Sequence, residues 1–444
     1  MSLAATLRRK AGGFAGKSFA SLLVKVGGAF ASYVFFLAFA RTLGPVAFGV
    51  FAFILSAANF GMLAASFGQP MLTLRNLSYA LAADREAEAR GALRFGLRLS
   101  LYGAALGALG LGLFGLIAPR FGAPGEIGAY VAGAALLVAL LAAEFLSHLL
   151  RAFGAVTMAL LPRDLLWRAI ALGAAFGLAV VAPGYGVATA LWLNVAVLGA
   201  LVLWQALYGR RLAPAWLRAG PEPEARDLPL ADWRRSSLHF WGIAVAAGLA
   251  QHLTVVAVGF AAPPEQIGAF FAAFRTASLL SMPLTAANIV LAPMLARYHR
   301  EGRRDLTQKV ILEFITLISI PTLAGTLALL LWGGRVLDLF DPAYGAAQPA
   351  LAIFALGFLF NTLTGPCGYV MMMSGAEAAY LRYTIVANLG AVIGAGVAIH
   401  FGMSWAAAAI ALANMGQNIA AALWSRRHAG VESTILCLWS RPSG

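Results

Sequence analysis

The chain has 444 residues, of which 61% are hydrophobic and only 11% are charged, and its mean hydropathy is +0.80. This composition excludes a soluble globular protein and indicates a polytopic membrane protein. The formal net charge of +14 does not indicate nucleic-acid binding, because the basic residues lie in the connections between apolar segments.

The first apolar run covers residues 18–40. At about 1.5 Å per residue it is long enough to cross a hydrocarbon core of about 30 Å. A basic cluster over residues 8–17 precedes it, and a single cation, Lys25, lies inside it. The run lacks a cleavage site of small residues, so it predicts an uncleaved first transmembrane helix with a cytoplasmic N-terminus.

Hydropathy predicts twelve spans, near residues 18–40, 46–68, 93–117, 128–150, 164–182, 186–208, 238–260, 266–295, 310–332, 347–373, 379–400 and 405–424. Of the 32 Lys and Arg residues, 27 fall on the side of the N-terminus and of the connections after even-numbered spans. Only Arg41, Arg120 and Arg335 fall on the other side, and Lys25 and Arg275 lie within spans. This bias predicts that both termini are cytoplasmic.

The longest connection, residues 209–236, is charged and rich in proline. It predicts a cytoplasmic linker between two six-helix lobes, residues 1–208 and 237–444. Phe48-Gly49-Val50-Phe51 has a weak counterpart in Ile267-Gly268-Ala269-Phe270. The predicted fold class is therefore an all-α polytopic membrane protein whose lobes are related by a pseudo-two-fold axis along the membrane normal, with a cavity between them.

Two segments, ARTLGPVAFGVFAFILSAANFGMLAASFGQPMLTLR and FNTLTGPCGYVMMMSGAEAAY, resemble the polysaccharide transporter family, the O-antigen flippase-like branch of the multidrug/oligosaccharidyl-lipid/polysaccharide exporter superfamily. The resemblance implies a flippase that moves undecaprenyl-diphosphate-linked oligosaccharide outward across a bacterial inner membrane. It also implies the lipid bilayer and glycan-assembly proteins, such as a polymerase, as partners. No cofactor is implied, and coupling to H⁺ or Na⁺ stays open.

Three cations are candidates for binding the diphosphate. Arg275 lies near mid-depth of its span, where an unpaired charge costs about 2.5–3.5 kcal/mol. In one interpretation its guanidinium faces a cavity and forms two parallel hydrogen bonds to a phosphate. In the other it is paired with carbonyl groups or an acid inside its own lobe. Lys25 lies closer to the cytoplasmic edge of its span, so its flexible side chain can also carry the ammonium group to the lipid headgroups. Arg168 is one turn inside its span, next to a predicted interfacial cluster with Arg163 and Asp164.

Glu144 and His148 are four residues apart and therefore share one helix face. They are candidates for proton coupling, for an ion pair with Lys25, or for lining a water-filled vestibule. Gly365, Pro366 and Gly368 interrupt the tenth predicted span and are candidates either for a hinge or for a static kink.

Polar residues at membrane depth predict mostly inter-helix hydrogen bonds, with a subset open to sugar hydroxyls; they are Gln251, His252, Asn288, Asn361, Asn388, Gln417 and Asn418. The two cysteines, Cys367 and Cys437, do not predict a disulfide, and no His/Cys spacing predicts a metal site.

Two alternatives to a flippase stay open. An ion-coupled drug antiporter of the same superfamily is disfavoured by cations, rather than acids, inside the spans. A membrane enzyme of glycan assembly is disfavoured because the largest outer loop offers only Arg335, Asp338 and Asp341. The sequence therefore predicts a transporter and not an enzyme, one that serves polysaccharide or lipopolysaccharide biosynthesis.

Overall fold

The computed structural model of the chain describes residues 3–219 and 228–435. All regular secondary structure in this part is helical, as predicted. The α-helices are α1 (Leu3–Ala65), α2 (Gln69–Ala82), α3 (Glu86–Ile117), α4 (Ile127–Ala152), α5 (Val156–Leu161), α6 (Trp167–Val181), α7 (Val187–Leu212), α8 (Ala215–Ala219), α9 (Leu230–Gly248), α10 (Thr254–Gly259), α11 (Pro264–Ser278), α12 (Met282–Arg300), α13 (Arg304–Asp338), α14 (Gln348–Leu363), α15 (Cys367–Met373), α16 (Glu377–Ala398) and α17 (Met403–Trp424).

Helix α1 consists of two helices that meet at Gly44, whose φ of 76° and ψ of 170° are not helical. Glycine adopts this conformation without steric cost, and Pro45 suits the start of the second helix, where its missing N–H is not needed. Eleven segments are long and apolar enough to cross a membrane, and the first of them, Gly27–Ala65, contains both of these helices. If the parts before and after Gly44 are counted as separate spans, the described residues contain twelve spans, which is the number predicted from hydropathy.

Several predicted spans begin earlier in the structure than the hydropathy predicts, and one is broken. The predicted span 347–373 is broken, because α14 ends at Leu363 and α15 begins at Cys367. Gly365 lies between them with a φ of 66°, which stops the helix. The predicted span 164–182 begins too late, because a π-helical turn, Pro162–Leu166, joins α5 to α6 and carries the helix through Pro162.

The chain forms two compact units, which differ from the predicted lobes at their ends. The first comprises Met1–Leu43, Ile54–Phe121 and Gly125–Val245; the second comprises Gly44–Phe53, Gly122–Pro124 and Ala246–Gly444. The division therefore passes through α1 and α9 rather than through the predicted linker at 209–236, part of which lies outside the described residues.

Hydrogen bonds explain why the start of α9 belongs to the first unit. The Ser237 hydroxyl donates to the carbonyl oxygen of Phe67 at 2.6 Å and accepts from Nε2 of Gln69 at 2.7 Å. The indole N–H of Trp241 donates to the carbonyl oxygen of Ala64 at 2.7 Å. These bonds join α9 to the turn between α1 and α2.

A buried tyrosine explains why the turn after Gly44 belongs to the second unit. Tyr344 is 1% exposed, and its hydroxyl donates to the carbonyl oxygen of Pro45 at 3.1 Å. The ring of Phe48 lies 6.1 Å from that of Phe271 on α11. The turn after Gly44 is thus built into the core of the second unit.

Candidate functional site

The first unit contains a cluster of charged side chains where α4 meets the π-helical turn Pro162–Leu166. The Glu144 carboxylate forms an ion pair with the Arg163 guanidinium, whose Nε lies 3.9 Å from Oδ1 of Asp164. Nδ1 of His148 lies 2.9 Å from the Glu144 carbonyl oxygen and 3.5 Å from its Oε1. The predicted shared face of Glu144 and His148 is therefore present, and among the described residues Arg163 forms an ion pair with it.

A buried glutamine compensates for the proline in this segment. Pro162 has no N–H, so the carbonyl of Met158, four residues earlier, lacks its helical donor. Gln205 on α7 is 2% exposed, and its Nε2 donates to the carbonyl oxygens of Met158 at 2.9 Å and Ala159 at 3.2 Å. Sequence reasoning missed Gln205; the available signals were an amide inside one apolar span and a proline near the start of another.

The π-helical turn explains the position of Arg168. The N–H of Trp167 donates to the carbonyl of Pro162, five residues back, so the wide turn skips the carbonyl of Arg163. Nη1 of Arg168 donates to that oxygen at 3.1 Å and to the Asp164 carbonyl oxygen at 2.9 Å. Its guanidinium carbon also lies 5.2 Å from the ring centroid of Trp167. The guanidinium predicted to contact phosphate is thus bonded within its own helix.

In the second unit, Arg275 lies on α11 near a second π-helical turn, Leu249–Leu253. Its guanidinium carbon is 5.1 Å from the ring centroid of Phe271, one turn earlier, which is cation–π geometry. His252 in the π-helical turn is close enough to interact electrostatically with Arg275. Both side chains are half-buried. The structure therefore brings a histidine to the cation that the sequence singled out.

Amide side chains join the helices of the second unit. Nδ2 of Asn418 donates to Oδ1 of Asn361 at 2.9 Å, and Nε2 of Gln417 donates to the Thr384 hydroxyl at 3.0 Å. Nδ2 of Asn388 donates to a main-chain carbonyl of α9 at 2.8 Å. These contacts confirm that polar residues at membrane depth here form inter-helix hydrogen bonds.

A small cavity of about 40 Å³ lies between α11, α14 and α17. Aromatic rings and two amides line it: Phe274, Phe354, Gly357, Phe358, Asn361, Ile410, Ala411 and Asn414. A water needs roughly 10–15 Å³ of such space, so the cavity suits water and is too small for a sugar or a drug.

The predicted hinge residues are buried and tightly packed in this structure. A Cβ on Gly365 would collide with the carbonyl oxygen of Ser433, and one on Gly368 would lie 2.5 Å from Cζ of Tyr380. This packing is that of a static break in the helix, and a hinge role stays a prediction. Lys25 belongs to α1, but its side chain lies outside the described part, so its proposed contact with substrate stays a prediction as well.

Searches against family models and curated protein sequences found no match. Solved structures do match the fold. A multidrug resistance MATE family transporter of the MOP superfamily, in its inward-facing conformation, has a TM-score of 0.76 at 16% identity and covers 92% of this chain and 98% of its own. The outward-facing conformation of such a transporter gives 0.59 at 19%, covering 93% and 95%.

A third neighbour is a MOP superfamily transporter from Pyrococcus furiosus, with a TM-score of 0.61 at 17% identity, covering 93% and 95%. It is described as having a binding pocket of reverse polarity that suggests a different function. At these identities the likeness concerns the fold: this chain has the fold of MOP superfamily transporters, and its neighbours are transporters and not enzymes.

Proposed function

We propose that the chain is an exporter that works by alternating access and moves an anionic, lipid-linked oligosaccharide from the cytoplasmic to the periplasmic leaflet of a bacterial inner membrane. The transporter fold, shared over more than nine-tenths of the chain, supports the general mechanism. The choice of an anionic substrate rests on the charges inside the spans, and one observation carries it.

That observation is a cation, Arg275, in the interior of the second unit. Arg275 and His252 lie together at membrane depth. Arg275 lies more than ten residues from either end of the apolar segment Pro264–Asn288, whereas the described carboxylates of this unit lie in connections or within ten residues of the ends of their apolar segments. A half-buried guanidinium in a low-dielectric setting attracts a diphosphate and repels a cationic drug. The ring of Phe271 packs against the guanidinium in cation–π geometry.

The neighbour described as having a pocket of reverse polarity supports this choice in one respect. It indicates that proteins of this fold differ in the charge of their binding pockets, so the fold by itself does not define the substrate. The substrate of each protein must therefore be inferred from the charges of its own binding-site residues.

The second candidate is an ion-coupled antiporter of small molecules or drugs, with H⁺ or Na⁺ as the coupling ion. The solved structures favour it, because the neighbours with TM-scores of 0.76 and 0.59 are described as multidrug resistance transporters. The ionic cluster at Glu144 gives this candidate an acid in the first unit, although that acid is paired with Arg163.

The two candidates differ in what a reconstituted protein transports. Proteoliposomes would receive an undecaprenyl-diphosphate-linked oligosaccharide on one face, and a membrane-impermeant glycosidase on the other face would report its appearance there. Parallel vesicles would contain a fluorescent cationic drug and carry an imposed proton or sodium gradient. The proposed function predicts movement of the oligosaccharide and no gradient-dependent movement of the drug.

Movement of the drug without movement of the lipid-linked glycan would establish the antiporter instead. A cellular measurement is independent of reconstitution: loss of the protein should cause one lipid-linked glycan to accumulate on the cytoplasmic face. If no lipid-linked species accumulates and drug sensitivity rises, the flippase proposal is wrong.

A further inference from the structure

A long apolar groove runs along the outside of the first unit. It has a volume of about 550 Å³, within the range of sites that bind small molecules. Its walls come from α3, α4 and α7, and the short helix α8 closes one end through Leu217. The residues that carry the argument are Arg94, Leu97, Leu101, Val138, Phe145 and Arg210.

The groove is open along one side, where exposed apolar side chains of membrane-spanning helices form its rim. Leu97 and Leu101 on α3 are 45% and 61% exposed, and Val138 on α4 is 38% exposed. The floor is closed, because Leu141 and Phe145 are 1% and 5% exposed. An apolar chain can therefore enter sideways from the membrane and lie against a solid apolar surface.

The length of the groove matches one leaflet. Along α3 it extends from Arg94 to Ala104, about 15 Å at about 1.5 Å per residue. This is half of a hydrocarbon core of about 30 Å. An acyl chain of a single leaflet fills that length, whereas a membrane-crossing partner helix extends well beyond it.

The charged residues of the groove indicate which lipid headgroup it would bind. Both cations that line the groove lie at the same end, Arg94 near the start of α3 and Arg210 near the end of α7. The distribution of Lys and Arg along the chain assigns that end to the cytoplasmic face. Two guanidiniums at the level of the headgroups, above an apolar groove of one leaflet's depth, are complementary to an anionic lipid.

We propose that this groove binds an anionic phospholipid of the cytoplasmic leaflet, with its phosphate at Arg94 and Arg210 and one acyl chain between α3, α4 and α7. The bound lipid acts as a stabilising component of the first unit. This site is separate from Arg275, so the proposal does not depend on which substrate is exported.

The test measures thermal unfolding of the purified full-length chain in detergent by tryptophan fluorescence. Phosphatidylglycerol and phosphatidylcholine with identical acyl chains are added at equal mole fractions. Because a ligand that binds only the folded state raises its stability, phosphatidylglycerol should raise the Tm by several degrees more than phosphatidylcholine. Glycerol 1-phosphate, which has the headgroup charge without a chain, should leave the Tm unchanged.

Variants of the groove residues test whether the larger Tm increase with phosphatidylglycerol arises from binding in the groove. Arg94→Gln with Arg210→Gln should lose most of the difference between the two lipids. The matched control, Arg426→Gln with Arg427→Gln, removes two exposed arginines elsewhere and should keep it. Ala142→Phe places a ring in the groove and should reduce the shift that phosphatidylglycerol produces. Each variant is compared only if its lipid-free Tm and elution volume match those of the wild type, and Ala142→Leu replaces Ala142→Phe if the larger ring prevents folding.

Three results would overturn the proposal. Equal shifts from the two lipids in the wild type would show that the headgroup is not recognised. If the variant of Arg94 and Arg210 kept the difference in Tm increase between the two lipids, the headgroup would be recognised by other residues. A larger shift with undecaprenyl phosphate than with phosphatidylglycerol would assign the groove to a polyprenyl chain.

Discussion

Gly49 and Gly268 pack backbone to backbone, where the second half of α1 crosses α11. A Cβ on Gly268 would lie 3.3 Å from the amide nitrogen of Gly49, and one on Gly49 would collide with the carbonyl oxygen of Pro264. These are the two glycines that the weak sequence repeat makes equivalent. Small residues allow helices in membranes to approach closely, and here two of them form the crossing.

Substituting Gly49 by alanine should therefore destabilise the protein by about 1–3 kcal/mol, since the backbones must separate to admit a methyl group. Thermal unfolding in detergent measures the effect. Gly112→Ala is the matched control, because a Cβ there meets open space. An unchanged Tm for Gly49→Ala would show that the crossing is loose.

The pairing of Gln205 with Pro162 predicts a non-additive pair of mutations. Gln205→Leu should cost about 1–3 kcal/mol, because the carbonyl of Met158 then lacks a donor. Pro162→Ala restores a main-chain N–H to that carbonyl, so Gln205→Leu should cost much less in the Pro162→Ala background. A double-mutant cycle on thermal stability measures this coupling, and additive effects would contradict the pairing.

Arg168→Gln should lower thermal stability while leaving transport per folded molecule near the wild-type value. The reason is that Arg168 donates to the carbonyls of Arg163 and Asp164, one of which the π-helical turn leaves without a donor. Lys309→Gln, at another cytoplasmic helix start, serves as the control for loss of a cation. A normal Tm together with lost transport would instead support the contact with phosphate that the sequence predicts.

Arg275→Ala should abolish export while the protein inserts and elutes normally, because the proposed diphosphate contact is lost. Arg275→Lys should recover only part of the activity, since a point charge replaces a planar, two-pronged donor. Arg335→Ala removes an exposed cation from the outer end of α13 and should be silent. Full transport by a well-expressed Arg275→Ala variant would leave Arg275 a structural residue.

The predicted topology can be measured directly. Reporter domains fused after Arg211 and after Arg427 should both be cytoplasmic, and one fused after Gly184 should be outside. The expectation follows from the 27 basic residues on one side against 3 on the other. A periplasmic signal at Arg211 or Arg427 would refute the arrangement of twelve spans with both termini inside.

Much of the architecture was predictable from the sequence because a bilayer imposes local rules. A span needs about 20 apolar residues, and cations collect on one side. The twelve spans, the turn at Gly44 and the shared face of Glu144 and His148 follow from such rules. They depend on residues close together in the chain, so hydropathy and helix spacing are sufficient for them.

The partners of the polar side chains were decided only by the tertiary structure. Pro162 lies in an apolar span, and whether it ends the helix depends on Gln205, on another helix, which supplies the missing hydrogen bond. Arg168 had the residue type of a phosphate ligand, but a π-helical turn placed two carbonyl oxygens within its reach. In a low-dielectric interior an unpaired polar group is costly, so each one forms hydrogen bonds with the complementary groups that packing places beside it. For Pro162 the choice depends on a contact between distant segments, and for Arg168 it depends on a π-helical turn; hydropathy and regular helix spacing contain neither.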